Sequence, residues 1–208
     1  MKRLIFFALL LAVLVFAFSP ARAASLPHKH FERIVLGGGC FWGMEAIFER
    51  LRGVQHVTAG FSGGSAETAH YETVSTGLTG HAESVEITFD PTQLSYDQLL
   101  NVYFRVAHDP TELNYQGPDQ GSQYRSVIFY TTEVQRHAVN TYMNRLKAQH
   151  VFKQPIVTEV SALRGFYPAE AYHQHYYDHH LDEPYIIEED VPKVKALEAI
   201  YPELLKAH

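Results

Sequence analysis

Three glycines and the only cysteine of the chain stand together as Gly37-Gly38-Gly39-Cys40, between a segment that reads as a strand and one that reads as a helix. Arg33-Ile34-Val35-Leu36 is short and apolar, as a buried strand is, and residues 44–51 carry apolar side chains at helical spacing. The chain must turn from strand to helix at the glycines, which accept backbone angles that other residues resist. That turn places Cys40 at or just before the first turn of a helix. A thiol there faces unpaired backbone N–H groups and the positive end of the helix dipole, both of which favour thiolate. Phe41 and Trp42 follow at once and give the sulfur an apolar wall. A buried cysteine serving only as a small hydrophobe is the plain alternative. The glycine turn, the helix start and the adjacent tryptophan together favour a reactive sulfur.

One cysteine excludes an internal disulfide, so stability must come from a packed core. A 46% hydrophobic composition with 13 Tyr and 13 Phe supplies one, and 208 residues suit a single domain. The formal net charge of −6 and the lack of a basic patch with interleaved aromatics argue against a nucleic-acid partner. Met1-Lys2-Arg3, an apolar run over residues 4–18 and Ala21-Arg22-Ala23 form the pattern of a secretory signal peptide over 1–23. The expected organisation is that leader, a linker over 24–31 and a catalytic domain with a C-terminal tail over 32–208. The expected location is periplasmic or extracellular, with no membrane partner once the leader is cleaved; an uncleaved anchor is the alternative. A monomer is expected.

Further along, residues 54–61 alternate as a second strand, stopped by Gly63-Gly64, and a Ser/Thr/Gly-rich loop covers 65–80. Residues 83–89 form the clearest strand, with Val85, Ile87 and Phe89 on one face. Ser95-Tyr96-Asp97-Gln98 is a capping-box sequence ahead of a helix, and 108–123 is a second long irregular stretch. Two long loops in one domain point to a site built between them. A strand over 126–130, a helix over 132–150, a strand over 155–161 and a helix over 168–176 complete the pattern. The order βαββαβ, with further elements after it, predicts an α/β (α+β) fold. It is a ferredoxin-like two-layer sandwich with a mixed, mostly antiparallel sheet and a C-terminal extension.

Three segments carry a resemblance. Gly39-Cys40-Phe41-Trp42-Gly43, Gly77-Leu78-Thr79-Gly80-His81-Ala82-Glu83 and Asp119-Gln120-Gly121-Ser122-Gln123-Tyr124-Arg125-Ser126 resemble signatures of the peptide methionine sulfoxide reductase A family, in the same order. The likeness runs over about residues 34–176. It implies that Cys40 attacks the sulfoxide sulfur and that Glu83 protonates the departing oxygen, for which a buried, neutral carboxyl is needed. It implies that Tyr71 and Tyr124 hydrogen-bond that oxygen, that Phe41 and Trp42 receive the S-methyl group, and that Asp119 orients the substrate backbone. It further implies oxidised peptides and proteins as substrates, selectivity for the S epimer at sulfur, and no bound cofactor or metal. Read without the resemblance, Glu83 is a strand-end carboxylate, the tyrosines are core aromatics and Asp119 is a turn residue.

The chain departs from the family's common pattern at Phe61-Ser62, where Tyr-Ala is more usual, and in having no second cysteine. Regeneration of the Cys40 sulfenic acid then needs an external thiol: a thioredoxin-like protein, glutaredoxin with glutathione, or another thiol. Two other readings remain open at this point. One is a cysteine hydrolase with His81 or His108 as base. The other is a metal-binding protein built on the histidines of residues 172–180, with His175 and His179 at i, i+4 on a helix face and Asp178 near.

Overall fold

Ile34, Val35 and Leu36 are apolar in succession because the strand they form, β1 (Glu32–Gly37), has neighbours on both edges and cover on both faces. A computed structural model describes residues 30–207; the expected leader over 1–23 and most of the 24–31 linker lie outside the described residues. After β1 come α1 (Phe41–Glu49), β2 (Val54–Ser62), α2 (Tyr71–Val74), β3 (Ala82–Phe89) and α3 (Tyr96–Val102). Next follow the two-residue strands β4 (Tyr115–Gln116) and β5 (Asp119–Gln120), then β6 (Val127–Tyr130) and α4 (Glu133–Ala148). The chain closes with β7 (Glu159–Ala162), β8 (Phe166–Pro168), α5 (Tyr176–His179) and α6 (Val191–Ile200).

The main sheet has the order β7-β6-β1-β3-β2-β8. Its four central strands, β6-β1-β3-β2, are antiparallel and have the 4-1-3-2 arrangement of the split βαβ unit. β7 joins β6 in parallel, and β8 joins β2 antiparallel, so the sheet is mixed and mostly antiparallel as expected. One face carries the main core, where Ile34, Leu36, Ile87 and Phe89 pack with Ile47 and Phe48 of α1, Leu99 and Leu100 of α3, and Val139 and Leu146 of α4. Burial of these side chains contributes about 1.5–3 kcal/mol each. On the other face Val35, Ala82, Val127 and Phe129 are covered by Leu163 and Phe166.

Local chemistry fixes the helix starts. Ser95 accepts from the Gln98 N–H while the Gln98 side chain accepts from the Ser95 N–H, the reciprocal capping box read in the sequence. Thr132 caps α4 by accepting from the Gln135 N–H.

Three expectations are corrected. The 65–80 loop contains α2, preceded by a 3₁₀ turn at Ala66–Thr68. The strand expected over 155–161 lies at Glu159–Ala162, where β6 offers its free edge. No single helix runs over 168–176. Phe166–Pro168 pairs with β2, and a 3₁₀ turn spans Ala171–His173. Gln174 then holds the chain extended by bonding both the N–H and the carbonyl of Ala59 at 3.0 Å. His175 sits at φ +55°, which breaks any helix through it.

The tail is packed. Leu51 and Leu205 form an antiparallel bridge, Arg52 N–H donates to Leu204 O at 2.7 Å, and Lys206 N–H donates to Arg50 O at 2.9 Å. Val194 and Leu197 of α6 enter the main core.

Candidate active site

The β1–α1 turn is built as its composition demands. Gly39 has φ +90°, a left-handed angle that favours glycine, and its N–H donates to the Tyr124 carbonyl at 3.1 Å. Cys40 is the N-cap of α1. The two long loops also meet each other: Gln123 Nε2 donates to Ser75 O and Ser122 Oγ to Gly77 O. Cys40, Tyr71, Glu83 and Tyr124 are therefore drawn together from four parts of the chain.

Burial governs the ionisation of the site. Cys40 is 8% exposed, and its thiol is pushed well above the ordinary range, first by burial and then by the negative charges of Glu83, Asp190 and Asp119, against one backbone hydrogen bond from Trp42. Burial and the acidic neighbours act against the thiolate that the helix start favours.

Glu83, at 1% exposure, has its carboxyl raised from 4.5 to about 8 by burial, with a smaller rise from Asp119 and an opposing hydrogen bond from the Phe41 N–H at 3.1 Å. That rise favours the neutral carboxyl, which accepts its hydrogen bond from the first residue of α1. Tyr71 is raised to about 12 by burial, Glu83 and Cys40, and Tyr124 is raised by burial, Glu83, Asp119 and Cys40. Both phenols stay protonated at neutral pH and are available as donors.

The apolar side of the site is aromatic and deeper than Phe41 and Trp42 alone. Phe41 is fully buried, 5.7 Å from Phe61, 6.3 Å from Tyr71 and 5.1 Å from His173, centroid to centroid. Trp42 lies flat on Tyr176 at 3.8 Å and edge-on to Tyr185 at 5.9 Å, and its Nε1–H donates to His173 Nδ1 at 3.1 Å. Tyr185 O–H donates to Asp119 Oδ2 at 2.6 Å, which opposes the burial that raises the Asp119 carboxyl.

Sequence reasoning missed Tyr185, Asp190 and His173. Asp190 has no exposure, is raised to about 6 by burial, pairs with Lys193 Nζ at 3.3 Å and presses on Gly43. In the sequence, Asp190-Val191-Pro192 signals only a helix start, with proline in its first turn.

The histidines of the two competing readings are occupied elsewhere. His81 bonds Ser65 O at 2.9 Å and accepts from Gly64 N–H at 3.2 Å, and His108 contacts Tyr103 O at 2.9 Å and Ser126 Oγ at 2.6 Å. Burial lowers His108 to about 4. Both ring nitrogens of each are used, so neither ring is arranged as a base for Cys40. His175 precedes α5 in a left-handed conformation and His179 ends that helix, so the expected i, i+4 helical pair does not exist.

A thiol, a neutral carboxyl and two phenols around an aromatic wall define a thiol-dependent oxidoreductase rather than a hydrolase. The family model described as peptide methionine sulfoxide reductase matches residues 32–203, and the chain belongs to that family. It is 47% identical over 173 residues to peptide methionine sulfoxide reductase MsrA 2 of Mesorhizobium japonicum, covering 83% of this chain and 89% of that one. The MsrA 2 of Synechocystis is 49% identical over 176 residues, covering 85% and 82%. Among solved structures, methionine sulfoxide reductase A of Corynebacterium diphtheriae is 35% identical with a TM-score of 0.63, covering 74% and 77%. Reduced Mxr1 of Saccharomyces cerevisiae is 28% identical with a TM-score of 0.68, covering 78% and 92%.

Proposed function

We propose that this chain reduces methionine S-sulfoxide, free or in peptides and proteins, to methionine. The observation that carries the reading is Glu83: a carboxyl held neutral by burial and hydrogen-bonded to the residue that follows the only cysteine. A sulfoxide oxygen leaves poorly until protonated, and a neutral carboxyl supplies the proton. Tyr71 and Tyr124 donate to the same oxygen, Phe41 and Trp42 hold the S-methyl, and Asp119, steadied by Tyr185, orients the substrate backbone.

The step balances. Glu83 passes its proton to the sulfoxide oxygen while the Cys40 sulfur bonds to the substrate sulfur, and the thiol proton returns to Glu83. The hydroxyl moves to Cys40 as the sulfur–sulfur and substrate sulfur–oxygen bonds break, leaving a sulfenic acid and methionine, so cysteine is oxidised by two electrons and the sulfoxide reduced by two. An external thiol then displaces water to form a mixed disulfide, and a second thiol restores Cys40. A thioredoxin-like protein or glutaredoxin with glutathione suits that role. The pattern over 1–23 supports export to the periplasm or outside the cell, with 32–208 as the catalytic domain.

The test uses a racemic methionine sulfoxide peptide, excess dithiothreitol and chiral separation, with Cys40→Ser as control. Loss of the S epimer alone, abolished in the control, is the expected result. Persistence of both epimers with folded, reduced protein would reject the reading.

A further inference from the structure

Away from the sulfur, Glu45 and Glu49 lie four residues apart on α1 and share a face. His175 meets them from the extended segment opposite. Its Nδ1 is 2.8 Å from Glu49 Oε1, and its backbone N–H donates to Glu45 Oε2 at 2.7 Å. One oxygen from each carboxylate and one nitrogen of the ring lie within 4.8 Å of one another.

Three close groups do not make a site by themselves; a salt bridge between protonated His175 and Glu49 would look the same. Glu45 supplies the independent observation. It is 1% exposed, and its Oε1 has no hydrogen-bond partner among the described residues. A buried carboxylate oxygen without a donor is costly, and a cation beside it removes that cost.

We propose that Glu45, Glu49 and His175 bind a first-row divalent metal ion such as zinc. Imidazole favours such ions over calcium or magnesium, and two carboxylates with one imidazole complete a three-ligand set. Glu49 and His175 also line a groove shared with His56, Gln174 and Lys206. The ion would tie α1, which begins beside Cys40, to the segment carrying His173 and Tyr176 of the aromatic wall. It takes no part in the sulfoxide chemistry.

The experiment uses the chain with Cys40→Ser, so that the thiol cannot ligate, and follows zinc uptake by equilibrium dialysis and calorimetry. Cobalt(II) serves as a spectroscopic probe of imidazole ligation. One saturable equivalent is expected, with Glu49→Gln and His175→Gln each weakening it at least about tenfold. His179→Gln and His180→Gln should leave it unchanged. These variants change half-buried or exposed positions, so folding, checked by circular dichroism, does not hide the answer. No saturable uptake up to about 100 µM zinc would overturn the proposal in favour of the salt bridge. Uptake that survives both Glu49→Gln and His175→Gln would overturn it in favour of adventitious surface histidines.

Discussion

The Glu83 carboxyl and the Cys40 thiol ionise reluctantly for the same reason: both are buried, and a charge on Glu83 further disfavours one on Cys40. Because the acid must start protonated, kcat/KM should fall as pH rises through about 8, the value to which Glu83 is raised. A pH–rate profile checks this, and a rise through 8 would remove Glu83 from the acid role. Glu83→Gln should lose about 10²–10⁴ in kcat while staying folded. Its stability carries a second signature. The folded chain keeps a proton on Glu83 that the unfolded chain releases, so this group's favourable contribution is full below pH 4.5 and is lost as pH rises through about 8. Glutamine has no such dependence. Urea melts should show the variant gaining on the parent between those limits, by at most about 5 kcal/mol. Alkylation of Cys40 by iodoacetamide should be slow at neutral pH, with its midpoint above the ordinary thiol value.

At the scale of elements, α1 is clamped between the sheet and the C-terminal segment. A methyl group on Gly43 would collide with the Asp190 carboxyl, so Gly43→Ala should cost about 1–3 kcal/mol in urea unfolding. Tyr185→Phe removes the 2.6 Å bond to Asp119 and should raise KM severalfold, about 1 kcal/mol, with little change in kcat. Steady-state kinetics on a peptide substrate separates the two. The elements read well in the sequence were those with local signals. β3 alternates, and α3 announces itself with Ser95 and Gln98. α2 and β8 were missed because four and three residues give no period to detect. The 168–176 segment was misread because Gln174, 115 residues from its partner Ala59, overrides the helix start after proline.

For the whole molecule, the same division between local and distant information explains the site. Cys40 and the glycine turn are legible because they sit in a short segment whose neighbours reveal their setting, whereas Glu83 read alone is a strand-end carboxylate and stands out only through the resemblance. Tyr185 and Asp190 are not legible, since their place against Asp119 and Gly43 exists only once the tail folds back over α1. The ionisation of Cys40 is not legible in the sequence for a related reason: the helix dipole is a local property, whereas the surrounding carboxyls arrive from three remote segments. With one cysteine in the chain, oxidation has no internal outlet. A reductant-free reaction should therefore stop after one methionine per chain and leave a sulfenic acid that dimedone traps, as mass spectrometry would show.

Trp42 is the only tryptophan in the sequence, and it lies flat on Tyr176, edge-on to Tyr185 and bonded to His173. This one indole stands two residues from the sulfur. The protein thus carries a built-in optical reporter: occupation of the aromatic wall, or conversion of Cys40 to its oxidised form, should change the emission of a single chromophore, which stopped-flow fluorescence would read without a label.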